Sequence, residues 1–254
     1  MTAYKNVAIF FTLVLLFVAA GIGLYVLSIE VKEERAERIK YPGFSIAIPE
    51  GYKLHGIDVS RYQHTIGWES VRAMEVGGLR IGFAFIKATE GSDLVDRKFF
   101  YNWREAKAAG IPRGAYHFFV PGIAVEKQAE NFIAVADLQK GDLPPVVDIE
   151  TLNGLSPATV RKQLALFLSV LEKRYKAKPI IYTFANFYRD YMGKEFDSFP
   201  LWVAHYYRMV EPEIDRPWHF WQHNDKGTVN GIKWKVDFNV FKGDSAALRQ
   251  MLLK

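Results

Sequence analysis

No cysteine occurs among the 254 residues, which excludes a disulfide scaffold, a thiolate zinc site, iron–sulfur ligation and a cysteine nucleophile. It leaves the compartment open, because an exported protein can do without thiols. Missing too is any glycine-rich phosphate turn of the G-x-G-x-x-G or Walker type. Charge of one sign is scarce: 33 Lys and Arg against 28 Asp and Glu give +5, with no basic cluster, so no nucleic-acid partner is expected. No low-complexity tract or solenoid repeat interrupts the chain. What remains is half hydrophobic and 15% aromatic, a globular composition long enough to bury a sizeable core.

That average hides a boundary near residue 40. Val7 to Leu27 is a run of 21 residues without a charge. About 20 apolar residues in a helix cross a bilayer core, so a single-pass anchor is expected within residues 1–29. A cleaved signal peptide, cut near Ala19 to Gly21, is the alternative, but its apolar stretch is usually shorter, about 7–15 residues. Residues 30–53 read as a charged stalk (EVKEERAERIK) and a linker carrying Pro42, Gly43, Pro49 and Gly51. The globular domain is then 54–254.

Strand-like runs begin near Leu54, Ile81, Arg113, Pro145 and Pro179, spaced 27, 32, 32 and 34 residues apart, the length of a βα unit. Between them lie helical patterns, among them Asp96–Ala109, Ala124–Leu138 and Ser156–Tyr175, the last opening on a Ser-Pro cap. Later runs begin near Leu201, Pro217 and Lys233, gaps of 22 and then about 16 residues that leave little room for helices. The pattern predicts an α/β fold: a TIM-like barrel with an incomplete helical jacket, (βα)5β3, behind one N-terminal transmembrane helix. A doubly wound open sheet is the alternative, but it needs the glycine-rich turn that is absent.

In such barrels chemistry sits at the C-terminal strand ends. Those ends supply Asp58, Lys87 with Glu90, Tyr116, Asp148 with Glu150, Tyr182, Tyr206, Trp221 with Gln222, and Asp237. Asp148 and Glu150 are two apart, so they share a face. Barrel closure brings the first strand beside the eighth, hence Asp58 beside Asp237. Asp148 and Glu150 lie across the mouth. Carboxylates on both sides of an aromatic cleft are what glycosidic hydrolysis needs: an acid for the leaving oxygen and negative charge beside an oxocarbenium-like centre. Each has a plainer explanation, the aspartates as turn or helix caps and D-x-E as a salt-bridged pair; it is their convergence that points to a site. Among the tryptophans, Trp202 and Trp221 are the candidates for the cleft, where flat rings could stack on sugars. Lys87 could contact substrate or only pair with a carboxylate. His219 and His223 have the spacing of a helical metal pair, but PWHFWQ reads as strand, which separates them by about 13 Å. No metal or cofactor is expected.

At these residues the chain resembles glycoside hydrolase family 25, the lysozymes that cut peptidoglycan beside N-acetylmuramic acid. The matching segments are GIDVSRYQ (56–63), FIKATEG (85–91), NWREAKAAGIPRGAYHFF (102–119), PPVVDIE (144–150), PIIYT (179–183), LWVAHY (201–206), WQ (221–222) and GIKWKVDFNVF (231–241). The resemblance implies Glu150 as general acid, Asp148 assisting at the anomeric centre through the substrate's 2-acetamido group, and Asp58 and Asp237 completing an acidic floor. Lys87, Glu90, Tyr116, Tyr182, Trp202, Tyr206, Trp221 and Gln222 would line the substrate. One departure is His64-Thr65-Ile66-Gly67, where the family commonly shows Gly at the first position and Asp at the fourth. A catalytically silent peptidoglycan-binding protein and a chitinase-like barrel are the competing readings. Intact Asp148 and Glu150 weigh against the first, and the PPVV before DIE against the second. The expected partners are glycan strands and, through the N-terminal helix, the membrane; the domain is expected to be monomeric and extracytoplasmic.

Overall fold

The computed structural model describes residues 17–26, 40–41, 43–208 and 210–254. Its contacts divide the chain into Met1–Lys40 and Tyr41–Lys254. In the first unit residues 17–26 are helical, with Phe17, Val18, Ile22 and Leu24 exposed. The rest of the 7–27 run lies outside the described residues, and no described helix is long and apolar enough to cross a membrane.

The second unit is an eight-stranded closed barrel. Its strands are β1 (Leu54–Val59), β2 (Leu79–Glu90), β3 (Arg113–Phe118), β4 (Val146–Asp148), β5 (Ile180–Phe184), β6 (Leu201–Ala204), β7 (Phe220–Gly227) and β8 (Val236–Phe241). Neighbours from β1 through β7 pair in parallel; β8 is antiparallel to both β7 and β1 and closes the ring. Helices α1 (Trp68–Ala73), α2 (Phe99–Ala108), α3 (Val125–Val135), α4 (Pro157–Tyr175) and α5 (Ala185–Tyr191) fill the first five crossovers, and α6 (Ser245–Met251) follows β8. The (βα)5β3 spacing is therefore observed. Local chemistry sets the ends: Ser156 Oγ accepts from Thr159 N at the start of α4, with Pro157 in its first turn, and Gly110 at φ +69° stops α2.

Strand alternation produces two cores. Inward residues such as Phe83, Phe85, Trp202, Phe220 and Phe241 plug the barrel, with the Phe85 and Trp202 rings stacked at 4.2 Å. This packing requires Gly114, where a Cβ would lie 2.7 Å from the Phe85 ring. Outward residues such as Ile57, Val147, Ile181 and Val203 pack beneath the helices.

Beside β6–β8, where no helix among the described residues covers the sheet, the sequence segment 43–53 does so instead. Its prolines and glycines suggest a linker, yet Phe44, Ile46 and Ile48 are buried against the barrel. The Phe44 ring meets Phe238 edge-on at 5.2 Å, Thr228 N donates to Phe44 O at 2.9 Å, and Tyr52 packs on Trp218 and Trp221. Gly43 and Gly51 do lie in turns. What they join is a strap of buried apolar side chains.

Candidate active site

The C-terminal ends of the parallel strands surround an open cleft of about 240 Å³, lined by Asp58, Lys87, Tyr116, Asp148, Glu150, Tyr182, Trp202, Tyr206, Gln222 and Asp237. Ten of the twelve candidate residues are thus brought together. Glu90 is not in the lining; its carboxylate takes the Lys87 ammonium at 2.7 Å and fixes it at the rim. Lys87 thus pairs with a carboxylate and also lines the cleft, where it is the sole cation among the described residues. Trp221 is the correction. It is fully buried on the outer side of β7, donating from Nε1 to His205 O. Adjacent strand residues point to opposite faces, so Gln222 and Trp221 cannot both enter the barrel. Gln222 does.

Asp237 reaches the mouth from the start of its strand rather than the end, because β8 runs antiparallel. Asp58 and Asp237 stand directly opposite each other in the β1–β8 register. Burial pushes the Asp58 carboxyl up to about 6, against the pull of hydrogen bonds from Asn239 and Gln222, and the Glu150 charge adds to the rise. Burial and then the Asp58 charge push Asp237 up to about 9. At neutral pH the proton of this pair stays on Asp237.

A chain of donors makes Asp58 the anion. Tyr182 and Tyr206 hydroxyls both donate to Gln222 Oε1, at 2.7 and 2.8 Å, which turns the Gln222 amide nitrogen onto Asp58 Oδ2 at 2.8 Å. On the other side Trp202 Nε1–H, which can only donate, holds Asn239 Oδ1 at 2.7 Å and turns Asn239 Nδ2 onto the same Asp58 oxygen at 2.7 Å. Two N–H donors on one oxygen favour its charged form. Asn239 was missed from sequence. The signal was there: it lies two residues from Asp237 on one strand, the same spacing that paired Asp148 with Glu150.

Across the cleft, Asp148 ends β4 and Glu150 follows two residues later. Burial raises Asp148 well above the usual carboxylate range; the Glu150 charge raises it further, and Lys87 opposes. Its Oδ1 is buried without a hydrogen-bond partner, a position a neutral carboxyl tolerates better than a carboxylate. Burial also raises Glu150, which is less enclosed, while Lys87 and the Tyr182 hydroxyl pull it down. The Glu150 and Asp148 charges oppose each other's formation. Tyr62 and Gln63 also line it and were not singled out from sequence.

Comparison with known proteins agrees with this geometry. The family model for glycosyl hydrolases family 25 matches residues 57–232. Lysozyme M1 of Streptomyces globisporus is 35% identical over 215 residues, 77% of this chain and 70% of that protein. The uncharacterized protein YegX of Escherichia coli is 46% identical over 200 residues, 79% and 74% of the two chains. The crystal structure of a bacterial lysozyme from Streptomyces coelicolor matches with a TM-score of 0.72 at 33% identity, over 80% of this chain and 98% of that one.

Proposed function

Because the chain belongs to glycosyl hydrolases family 25, we propose a division of labour among its mouth carboxylates in the cleavage of peptidoglycan. The protein is a lysozyme-type glycosidase that hydrolyses the β-1,4 link between N-acetylmuramic acid and N-acetylglucosamine. Glu150 is the general acid and Asp148 its partner. The observation that carries this assignment is the pair of cleft-lining carboxyls two residues apart at the end of β4, Asp148 buried and Glu150 half-buried, both raised by burial.

Of the two carboxyls, Asp148 is the more enclosed, and the Glu150 charge raises it further. The entering 2-acetamido N–H donates to Asp148 and favours its anion, and that charge favours protonated Glu150. As the bond between the anomeric carbon and the leaving oxygen breaks, its electron pair goes to that oxygen, which takes the Glu150 proton. The acetamido oxygen, steered by Asp148, supports the positive anomeric carbon. Water then adds there and returns a proton to Glu150. Asp58, held as an anion by Gln222 and Asn239, supplies negative charge from the opposite wall. Mass spectrometry of the fragments that the full chain releases from purified peptidoglycan tests the bond cleaved. Muramic acid at the new reducing end is expected; reducing N-acetylglucosamine or anhydro-muramic ends would refute the assignment.

Residues 7–27 anchor the protein as a single span, with the barrel outside the cytoplasm. Support comes from the uncharged 21-residue run and from the helix at 17–26 with its exposed apolar side chains. Two arguments oppose each other on orientation. Lys5 precedes the run while Lys32, Arg35, Arg38 and Lys40 follow it, which by the positive-inside rule puts the barrel in the cytoplasm. Large domains translocate largely regardless of that bias, and the polymer is outside. The substrate decides. Protease added to intact spheroplasts should digest the barrel; a barrel protected until lysis would reverse the orientation.

A further inference from the structure

One side of the mouth carries a surface that bond cleavage does not use. The β1–α1 loop and the β7–β8 hairpin are tied together by Gly67 N to Gly231 O at 2.9 Å and by Gln63 Nε2 to Lys235 O at 2.9 Å. On this wall the His64 ring stacks on Trp234, centroids 5.3 Å apart and planes inclined by 29°. Trp234 is 56% exposed and Tyr62 66%. His64 has φ +56° and ψ −132°, a backbone conformation suited to glycine, so its side chain is kept there against local preference. The wall is continuous with the cleft: Tyr62 and Gln63 line it together with Glu150, and Asp237 lies three residues beyond Trp234 on the same hairpin arm.

We propose that Trp234, braced by His64, and Tyr62 form a saccharide subsite beyond the bond being cut, holding a further ring of the glycan strand. The proposal rests on the hydrolase function above and adds that the enzyme engages the polymer over more length than its carboxylates span. Exposed aromatic side chains grouped beside a cleft mark a ligand surface. Indole and phenol rings offer a flat apolar face with a polar edge, the shape that accepts the C–H face of a sugar. Continuity with the carboxylate cleft selects the same strand as occupant. The strained backbone at His64 is the feature a purely structural loop would have no reason to retain.

The test uses the full chain in detergent, carrying Glu150→Gln so that strands stay uncut, titrated calorimetrically with long stem-free glycan strands and with a disaccharide. Adding Trp234→Ala should weaken the long strands about tenfold and the disaccharide at most about twofold. His64→Gly should also weaken the long strands, yet without lowering the melting temperature, since glycine suits that backbone. Equal affinity of parent and Trp234→Ala for long strands overturns the subsite. An equal loss on both ligands does so as well, because the effect would then come from the cleft itself. Wild-type hydrolysis is measured alongside. If the wild type cuts strands and Trp234→Ala binds them normally, the subsite alone fails; if the wild type neither binds nor cuts them, both conclusions fall.

Discussion

Glu150→Gln should hydrolyse peptidoglycan at least about a hundredfold more slowly than wild type, while still binding cell walls. The substitution keeps shape and hydrogen-bonding capacity but removes the only proton that residue can give. Losing general acid catalysis typically lowers the rate by about 10²–10⁴. The environment suits Glu150 to that role. Burial raises Glu150, Asp148 beside it is raised further, and the one nearby cation, Lys87, is already engaged by Glu90. Asp58 and Asp237 cannot replace the lost donor, since they face each other on the opposite side of the barrel. A pH profile adds a second sign. An acid must be protonated, so wild-type activity falls as pH rises through its raised pKa, and that limb should vanish from the residual activity of the variant. Near-normal hydrolysis by Glu150→Gln would remove the residue from the role.

Phe44→Ala should lower stability by about 3–5 kcal/mol, the usual range for emptying a buried phenylalanine site. For a domain of this size that is a fall in melting temperature on the order of 10 °C. Phe44 is only 1% exposed, its ring packs edge-on against Phe238, and its carbonyl accepts from Thr228 N. The strap lies outside the barrel, whereas the carboxylates lie inside its mouth. Hydrolysis measured well below the melting temperature should therefore change little. Thermal unfolding of the full chain in detergent checks this, and a melting temperature within about 2 °C of wild type would show that the strap is incidental.

Much of this molecule was legible because its information is periodic. Alternation identified the strands, the 27–34-residue spacing identified βα units, and the shortened gaps identified the three strands without crossover helices. Asp58 opposite Asp237 follows from ring closure and needs no knowledge of side-chain packing. What stayed hidden depends on phase and direction. Trp221 and Gln222 each suited a cleft, but the pleat admits one of them, and only the neighbours decide which. The direction of β8 turns on a hairpin of eight residues between Gly227 and Val236, in which Gly231 at φ +88° packs against Gly67. The strap was obscured by its prolines and glycines, which report local backbone shape and say nothing of where Phe44, Ile46 and Ile48 are placed.

The strap also gives the domain a mechanical character. Tension drawn along the chain from residue 41 meets Phe44, Ile46 and Ile48, and the backbone bond from Thr228, before any of it reaches β1. Peeling those contacts bares Phe238 but breaks none of the pairings that close the ring of eight strands. The load is taken first by a replaceable fastening on the outside of the barrel, in the manner of a fuse. The catalytic cavity behind it keeps its shape until that fastening has given way.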